Sequence, residues 1–196
     1  MAIASLNGRL QSTNKSKMEA VQIWYGKPTY RYAKLSVPPV ATPTDFIMIQ
    51  GSATNTITIK RIKLSGVATG AGNMPCAAIR RTSMFTTQGT AVFNNIPAAQ
   101  HDTLDVVGTA NVAYISTANF TTVGAGNAVL AADRLQLAAS GSGIGFQPLD
   151  WDFSVRNDKA LILRGIGDFI FINLNGAAVP AGTVIDIEIE TEEDNS

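Results

Sequence analysis

Residues 183–190, Thr-Val-Ile-Asp-Ile-Glu-Ile-Glu, alternate apolar and acidic side chains from Ile185 onward. A period of two marks a half-buried strand, so Ile185, Ile187 and Ile189 face a core while Asp186, Glu188 and Glu190 face outward. In Phe46-Ile47-Met48-Ile49 and Phe169-Ile170-Phe171-Ile172-Asn173-Leu174 both alternating faces are apolar. That pattern predicts central strands covered on two sides. Asp150-Trp151-Asp152-Phe153-Ser154-Val155 alternates with Trp151, Phe153 and Val155 inward. Arg156-Asn157-Asp158-Lys159 then supplies a polar turn into Ala160-Leu161-Ile162-Leu163, which predicts a hairpin.

Residues 56–65 change parity: Ile57 and Ile59 are odd, Ile62 and Leu64 even. A regular strand cannot bury all four, so a bulge or sharp bend is expected at Lys60-Arg61. Residues 76–84, 112–116 and 135–138 are further strands between Gly-, Ser- and Asn-rich turns. Residues 88–104 and 118–132 resist assignment, and each has room for a short helix. About eight short strands without helical periodicity predict an all-β fold, an antiparallel β-sandwich.

Ahead of this body, residues 7–17 are polar and basic, the composition of a segment unable to fold alone. Two short β-prone stretches follow, residues 21–25 and 29–32, and then Pro38, Pro39 and Pro43, which favour an extended connection. The predicted layout is an N-terminal arm and Pro-rich linker over residues 1–44, a sandwich over 45–191 and an acidic tail over 192–196.

The net charge of zero conceals two poles. Eleven of the fifteen Lys and Arg stand at or before Arg81, against two of the fifteen acids, Glu19 and Asp45. Such asymmetry points to a partner of opposite sign, yet each copy carries its own complement, within a fold or between copies. The basic side, with Lys60, Arg61, Lys63, Arg80 and Arg81 and with Arg9, Lys15 and Lys17 on the arm, could line phosphates. The acidic second half disfavours nucleic acid. Charged residues are only 15% of the chain, which suits a surface covered by other subunits, since interface cores are depleted in charge. Trp24, Tyr25, Tyr30 and Tyr32 read as apolar anchors for docking or as a stacking platform for bases or sugars. Glu188 and Glu190 sit on a solvated or partner-facing strand.

Catalytic patterns are missing from this reading. His101 is the sole histidine and Cys76 the sole cysteine; they are too few for a zinc site or a cupin metal centre, and no G-x-S-x-G elbow accompanies them. The Gly-rich stretches lack the spacing of a phosphate-binding loop. Asp186, Glu188 and Glu190 lie roughly 6.5–7 Å apart along one strand face, too far to share one ion unaided. Asp150 and Asp152 read as outer-face acids before they read as a glycosidase pair. The expectation is a non-enzymatic protein without cofactor or metal. One cysteine allows no intrachain disulfide, and Cys76 is expected to be buried. The first 25 residues lack a basic region followed by an apolar stretch, so no signal peptide is expected, nor is any membrane span.

Phe46-Ile47-Met48-Ile49-Gln50-Gly51-Ser52, Lys60-Arg61-Ile62 and Ala78-Ile79-Arg80-Arg81-Thr82 resemble a group of small jelly-roll structural proteins encoded by tailed bacteriophages. Leu163-Arg164-Gly165, Asn173-Leu174-Asn175-Gly176, the Pro180-Ala181-Gly182 turn and the final acidic strand extend the resemblance over residues 45–190. It implies a jelly-roll sandwich in a virion, as a capsid decoration or cement protein or a neck or tail accessory. Such proteins work as homo-oligomers, trimers among them, on a major capsid protein or another virion protein. A carbohydrate- or receptor-binding module on the same fold is the alternative.

Overall fold

The structure is a computed structural model that describes residues 3–6, 9–12, 27–141, 147–154 and 160–195. β1 (Ile3–Leu6) and β2 (Arg9–Ser12) form an antiparallel ribbon by themselves. The body follows as β3 (Thr29–Val37), β4 (Asp45–Gln50), β5 (Asn55–Ala68), β6 (Gly72–Arg81), β7 (Phe85–Thr87), β8 (Val92–Asn95) and β9 (Ala98–Gln100). It continues through β10 (Asn111–Ser116), β11 (Thr122–Val123), β12 (Ala128–Ala139), β13 (Leu149–Asp152), β14 (Leu161–Arg164), β15 (Phe169–Asn173) and β16 (Val184–Asn195). The fold is all-β, with no helix among the described residues; 88–104 and 118–132 hold short strands instead.

One hydrogen-bonded path runs β8-β10-β4-β15-β6-β12-β5-β16-β3-β9, and β13 and β14 add to β5. It curls into a half-barrel, so that β4, β15, β6 and β12 share one core with β5, β16 and β3. The two layers are continuous: β12 runs antiparallel to β6 for most of its length and then parallel to β5 at Ala138↔Val67 and Ala139↔Ala68. This is the departure from a purely antiparallel sandwich.

The side-chain pattern explains the layers. Ile185, Ile187 and Ile189 are buried against Ile57, Ile59, Ile62 and Leu64 of the neighbouring strand's inner face, each such burial contributing about 1.5–3 kcal/mol. β4 and β15 are covered on both sides, as their doubly apolar sequence requires. Phe46, Ile49, Ile170 and Ile172 enter the main core, while Met48, Phe169 and Phe171 join a second cluster with Ile115 and Phe120. Phe85 and Phe93 close that cluster, their rings 5.3 and 5.5 Å from that of Phe120.

β5 buries both parities because it is bulged where the sequence changes phase. Its register with β16 passes from Arg61↔Glu190 to Ile59↔Thr191, leaving Lys60 unopposed. The same bulge overturns the expected 150–163 hairpin. β13 pairs with β5 from Leu64↔Leu149 to Arg61↔Asp152, and β14 pairs with it from Ile59↔Leu161 to Thr56↔Arg164. The two strands therefore lie end to end along one edge, one on each side of Lys60. Val155 and the polar turn that follows lie outside the described residues.

β4 and β5, consecutive in the chain, pair respectively with β15 and β14, also consecutive. They make a two-stranded ribbon that turns from one layer into the other. At its corner the Gly51 N–H donates to the Asp168 carbonyl at 3.0 Å, and a Cβ on Gly51 would stand 2.5 Å from the Gly165 oxygen. Gly165 itself has φ +82°, a conformation favouring glycine.

β3 lies in what the sequence suggests is arm and linker, yet it is an integral strand. It pairs along β16 and buries Tyr30, Tyr32 and Val37.

Candidate functional site

The charge poles meet on the outer face of one layer, where basic β3 and β5 flank acidic β16. Glu190 stands opposite Arg31 on one side and Arg61 on the other, and Glu188 opposite Ala33 and Lys63. Arg31 lies 3.7 Å from Glu188 and 3.4 Å from Glu190. Lys60 reaches Glu192 at 3.2 Å, and Lys27 reaches Asp194 at 3.0 Å. Arg61 grips Asp150 with both Nε and Nη2, and that grip holds the Asp150 carboxyl below the usual carboxylate range. The Asp194 contact likewise raises the Lys27 ammonium. Glu188 and Glu190, expected to face solvent or a partner, therefore face arginine on their own molecule.

Arg80 and Arg81, candidates for phosphate contacts, are both committed within the chain. Arg80 Nη1 holds both oxygens of Asp168 at 3.0 and 2.9 Å, and its Nη2 donates to the Ile162 carbonyl at 2.8 Å. Asp168 in turn accepts from the Arg164 N–H. One ion pair thus stitches β6 to the outer edge of β14 and occupies two of that edge's backbone groups. Arg81 is buried, 2.7 Å from buried Asp45, and donates to the carbonyls of Gly124 and Gly126. Asn173 completes the Asp45 shell at 2.6 Å, and the Phe171 ring lies 6.0 Å from the Arg81 guanidinium carbon. This cluster anchors residues 124–126 on the sheet.

Of the aromatic candidates, Tyr30 and Tyr32 are core residues and offer no stacking face. Tyr30 donates to the Val106 carbonyl at 2.7 Å and Tyr32 to the Ala110 carbonyl at 3.2 Å. Burial first, and the nearby Glu193 charge second, push both phenols up from their ordinary pKa. Lys15, Lys17, Trp24 and Tyr25 lie outside the described residues; Arg9 opens β2, opposite Leu6.

Two features escaped the sequence reading. Glu193, placed there in a solvated tail, is 2% exposed. It accepts from Thr109 N at 2.8 Å, Thr109 Oγ1 at 2.7 Å, Ala110 N at 3.0 Å and Asn55 Nδ2 at 3.0 Å. The continuing alternation of residues 183–194 was the available signal, since Thr191 and Glu193 fall on the isoleucine face. The second feature is loop 101–110, which Glu193 and Tyr30 hold from below while Leu104, Val106 and Val107 stand exposed.

The groups with chemical potential are dispersed. His101 is exposed, and its backbone N–H bonds the Thr29 carbonyl. Burial of Cys76 pushes its thiol up to about 12. Asp150 is engaged by Arg61, and Asp152 accepts from Ser154 at 2.6 Å. Among the described residues no three His, Cys, Asp or Glu side chains cluster as metal ligands, and no helix is long and apolar enough to cross a membrane. Two shallow hollows flank β13 and β14. One of about 240 Å³ is lined by Asp133, Gln136, Gln147, Pro148 and Asp150. The other, about 320 Å³, lies among Arg80, Leu161, Ile162 and Arg164. In comparisons with protein-family models, curated proteins and solved structures, nothing matches the chain.

Proposed function

We propose that the chain is a non-enzymatic structural subunit of a viral particle, acting as an oligomeric capsid decoration or cement protein of a phage head. The observation that carries this reading is the folded ribbon of β4-β5 on β15-β14. A ribbon wrapped from one layer to the other is how a jelly roll builds its two sheets, and jelly rolls recur in viral shells and lectins. Two of the stretches that carry the resemblance to phage jelly-roll proteins, around Gly51 and around Gly165, meet at its corner. The closed internal ion-pair network adds support of a second kind, because it leaves the described outer face little net charge with which to recruit nucleic acid.

The N-terminal residues are the segment assigned to a neighbour or shell. The informative truncation removes residues 1–26, since a longer cut would take β3 and its buried tyrosines. The shortened chain is expected to keep the unfolding midpoint of the full chain and to lose at least tenfold in affinity for particles, about 1.4 kcal/mol, in a co-sedimentation assay. Equal particle binding by both forms would overturn the arm's role. No binding of the full chain to any virion fraction would overturn the particle reading. A saccharide-binding module is the second reading, favoured by the hollow at β13, where Gln136 and Gln147 offer amides beside Asp133. Specific glycan-array binding that Gln136→Ala abolishes would put it first.

A further inference from the structure

We propose that copies of this chain join head to tail, the apolar knob on loop 101–110 of one copy seating in the hollow between β6 and β14 of the next. Leu104 is 91% exposed, Val106 63% and Val107 76%. Scattered apolar side chains are ordinary on a protein surface, but three neighbours on one loop approach the few hundred Å² that marks interaction sites.

The loop holds them in a fixed form. Asp102 Oδ1 accepts from Leu104 N at 2.9 Å, and the Asp102 carbonyl accepts from Asp105 N at 3.1 Å. The Gln100 amide bonds the Asp105 carbonyl, and Tyr30 Oη the Val106 carbonyl. The hydrogen bonds that Glu193 accepts from Thr109 and Ala110 fasten the loop's base. A contact made by a loop already ordered loses little conformational entropy on binding.

The hollow matches the knob in sign. It measures about 320 Å³ and is lined by Ala160, Leu161 and Ile162 together with charged residues. Arg80 and Arg164 stand at its rim with Asp168, whose two oxygens are engaged by Arg80 and by the Arg164 N–H. Among the described residues, the charge there without an ion-pair partner is the Arg164 guanidinium. The knob's rim is acidic, from Asp102 and Asp105. An acid-rimmed apolar knob and a base-rimmed apolar hollow are complementary.

Topology then sets the symmetry. Loop 101–110 connects β9, at one end of the sheet path, to β10, and so bridges the layers on that side; β6 and β14 border the opposite side, where the Arg80 guanidinium spans them. Knob and hollow are different surfaces on opposite flanks, so the contact is heterologous and generates a ring or a filament.

This inference rests on surface geometry alone, so its failure leaves the particle-binding test intact. The test uses sedimentation velocity on the full chain and on two variants at exposed positions, Leu104→Asp and Arg164→Glu. Wild type is expected to form species larger than a dimer as concentration rises, and each variant alone to remain monomeric. An equimolar mixture of the variants restores one contact only, the intact knob of Arg164→Glu in the intact hollow of Leu104→Asp, and must stop at a dimer. Unchanged unfolding midpoints show that both variants fold. A monomeric wild type up to millimolar concentration, self-association undiminished in Leu104→Asp, or a mixture that stays monomeric each overturns the proposal. So does a wild type whose exposed loop binds only lipid vesicles or a different protein.

Discussion

At the scale of single residues, the most consequential positions are charges taken out of water. Arg81 and Asp45 neutralise each other, but among the described residues no cation pairs with Glu193; its carboxylate is surrounded by N–H and O–H donors from Asn55, Thr109 and Ala110. A buried anion satisfied by several donors is stable, and replacing an acceptor by a donor there leaves both sides unsatisfied. Glu193→Gln, nearly isosteric, keeps an oxygen for the Thr109 and Ala110 N–H groups but turns an amide NH₂ toward the Asn55 amide and the Thr109 hydroxyl, which both donate to the carboxylate. It is expected to cost about 1–3 kcal/mol, the penalty for an unsatisfied buried polar group. Residues 101–110 should also lose hydrogen-exchange protection ahead of the core. A variant within about 0.5 kcal/mol of wild type, the usual range for surface changes, would show that the carboxylate does not hold the loop.

At the scale of elements, β5 organises the molecule, because its bulge at Lys60 lets one strand present Ile57, Ile59, Ile62 and Leu64 to the same core. Deleting Lys60 removes the unopposed residue and puts Ile57, Ile59, Ile62 and Leu64 on one parity, so that a regular strand can bury all four in the same register with β16. The deletion is expected to keep cooperative unfolding, and its loss in a urea titration would mean that the bulge itself, not the shared burial, is required. Lys60→Ala keeps the bulge and removes only a partly exposed ion pair with Glu192, so it should cost about 0–1 kcal/mol in a urea titration. That bulge was legible in the sequence as a change of parity, and so were the doubly covered β4 and β15. The partner of β13 was not. Alternation followed by a polar turn fits a hairpin and also fits two strands laid end to end, and nothing local distinguishes them; the bulge in β5, a hundred residues away, does. The candidate sites fared similarly. The burial of Tyr30 and Tyr32 depends on β3 pairing with β16 at the far end of the chain, and Arg80 and Arg81 find Asp168 and Asp45 only across the sheet.

At the scale of the whole molecule, the opposed charge poles become a property of the fold, since acidic β16 lies between basic β3 and β5. At neutral pH each exposed pair contributes only about 0–1 kcal/mol, and raised salt should change stability little. Acid removes one side of this balance. The Asp150 carboxyl is held low by Arg61, below the ordinary 3.8, so its contribution is present above the unfolded value and is lost as pH falls through the folded one. Arg61 is then left without its carboxylate partner on β13, beside Lys60 and Lys63 on the same strand. The expected outcome is a Tm that is flat from pH 8 to about 5 and then falls steeply toward pH 3, given reference carboxylate values near 4. The loss should be partly reversed by about 0.5 M NaCl at pH 3, because repulsion between exposed cations is screened within a few ångströms there, and not at pH 7, where attraction and repulsion already balance. A Tm equally sensitive to salt at both pH values would mean that the three strands do not cancel one another's charge.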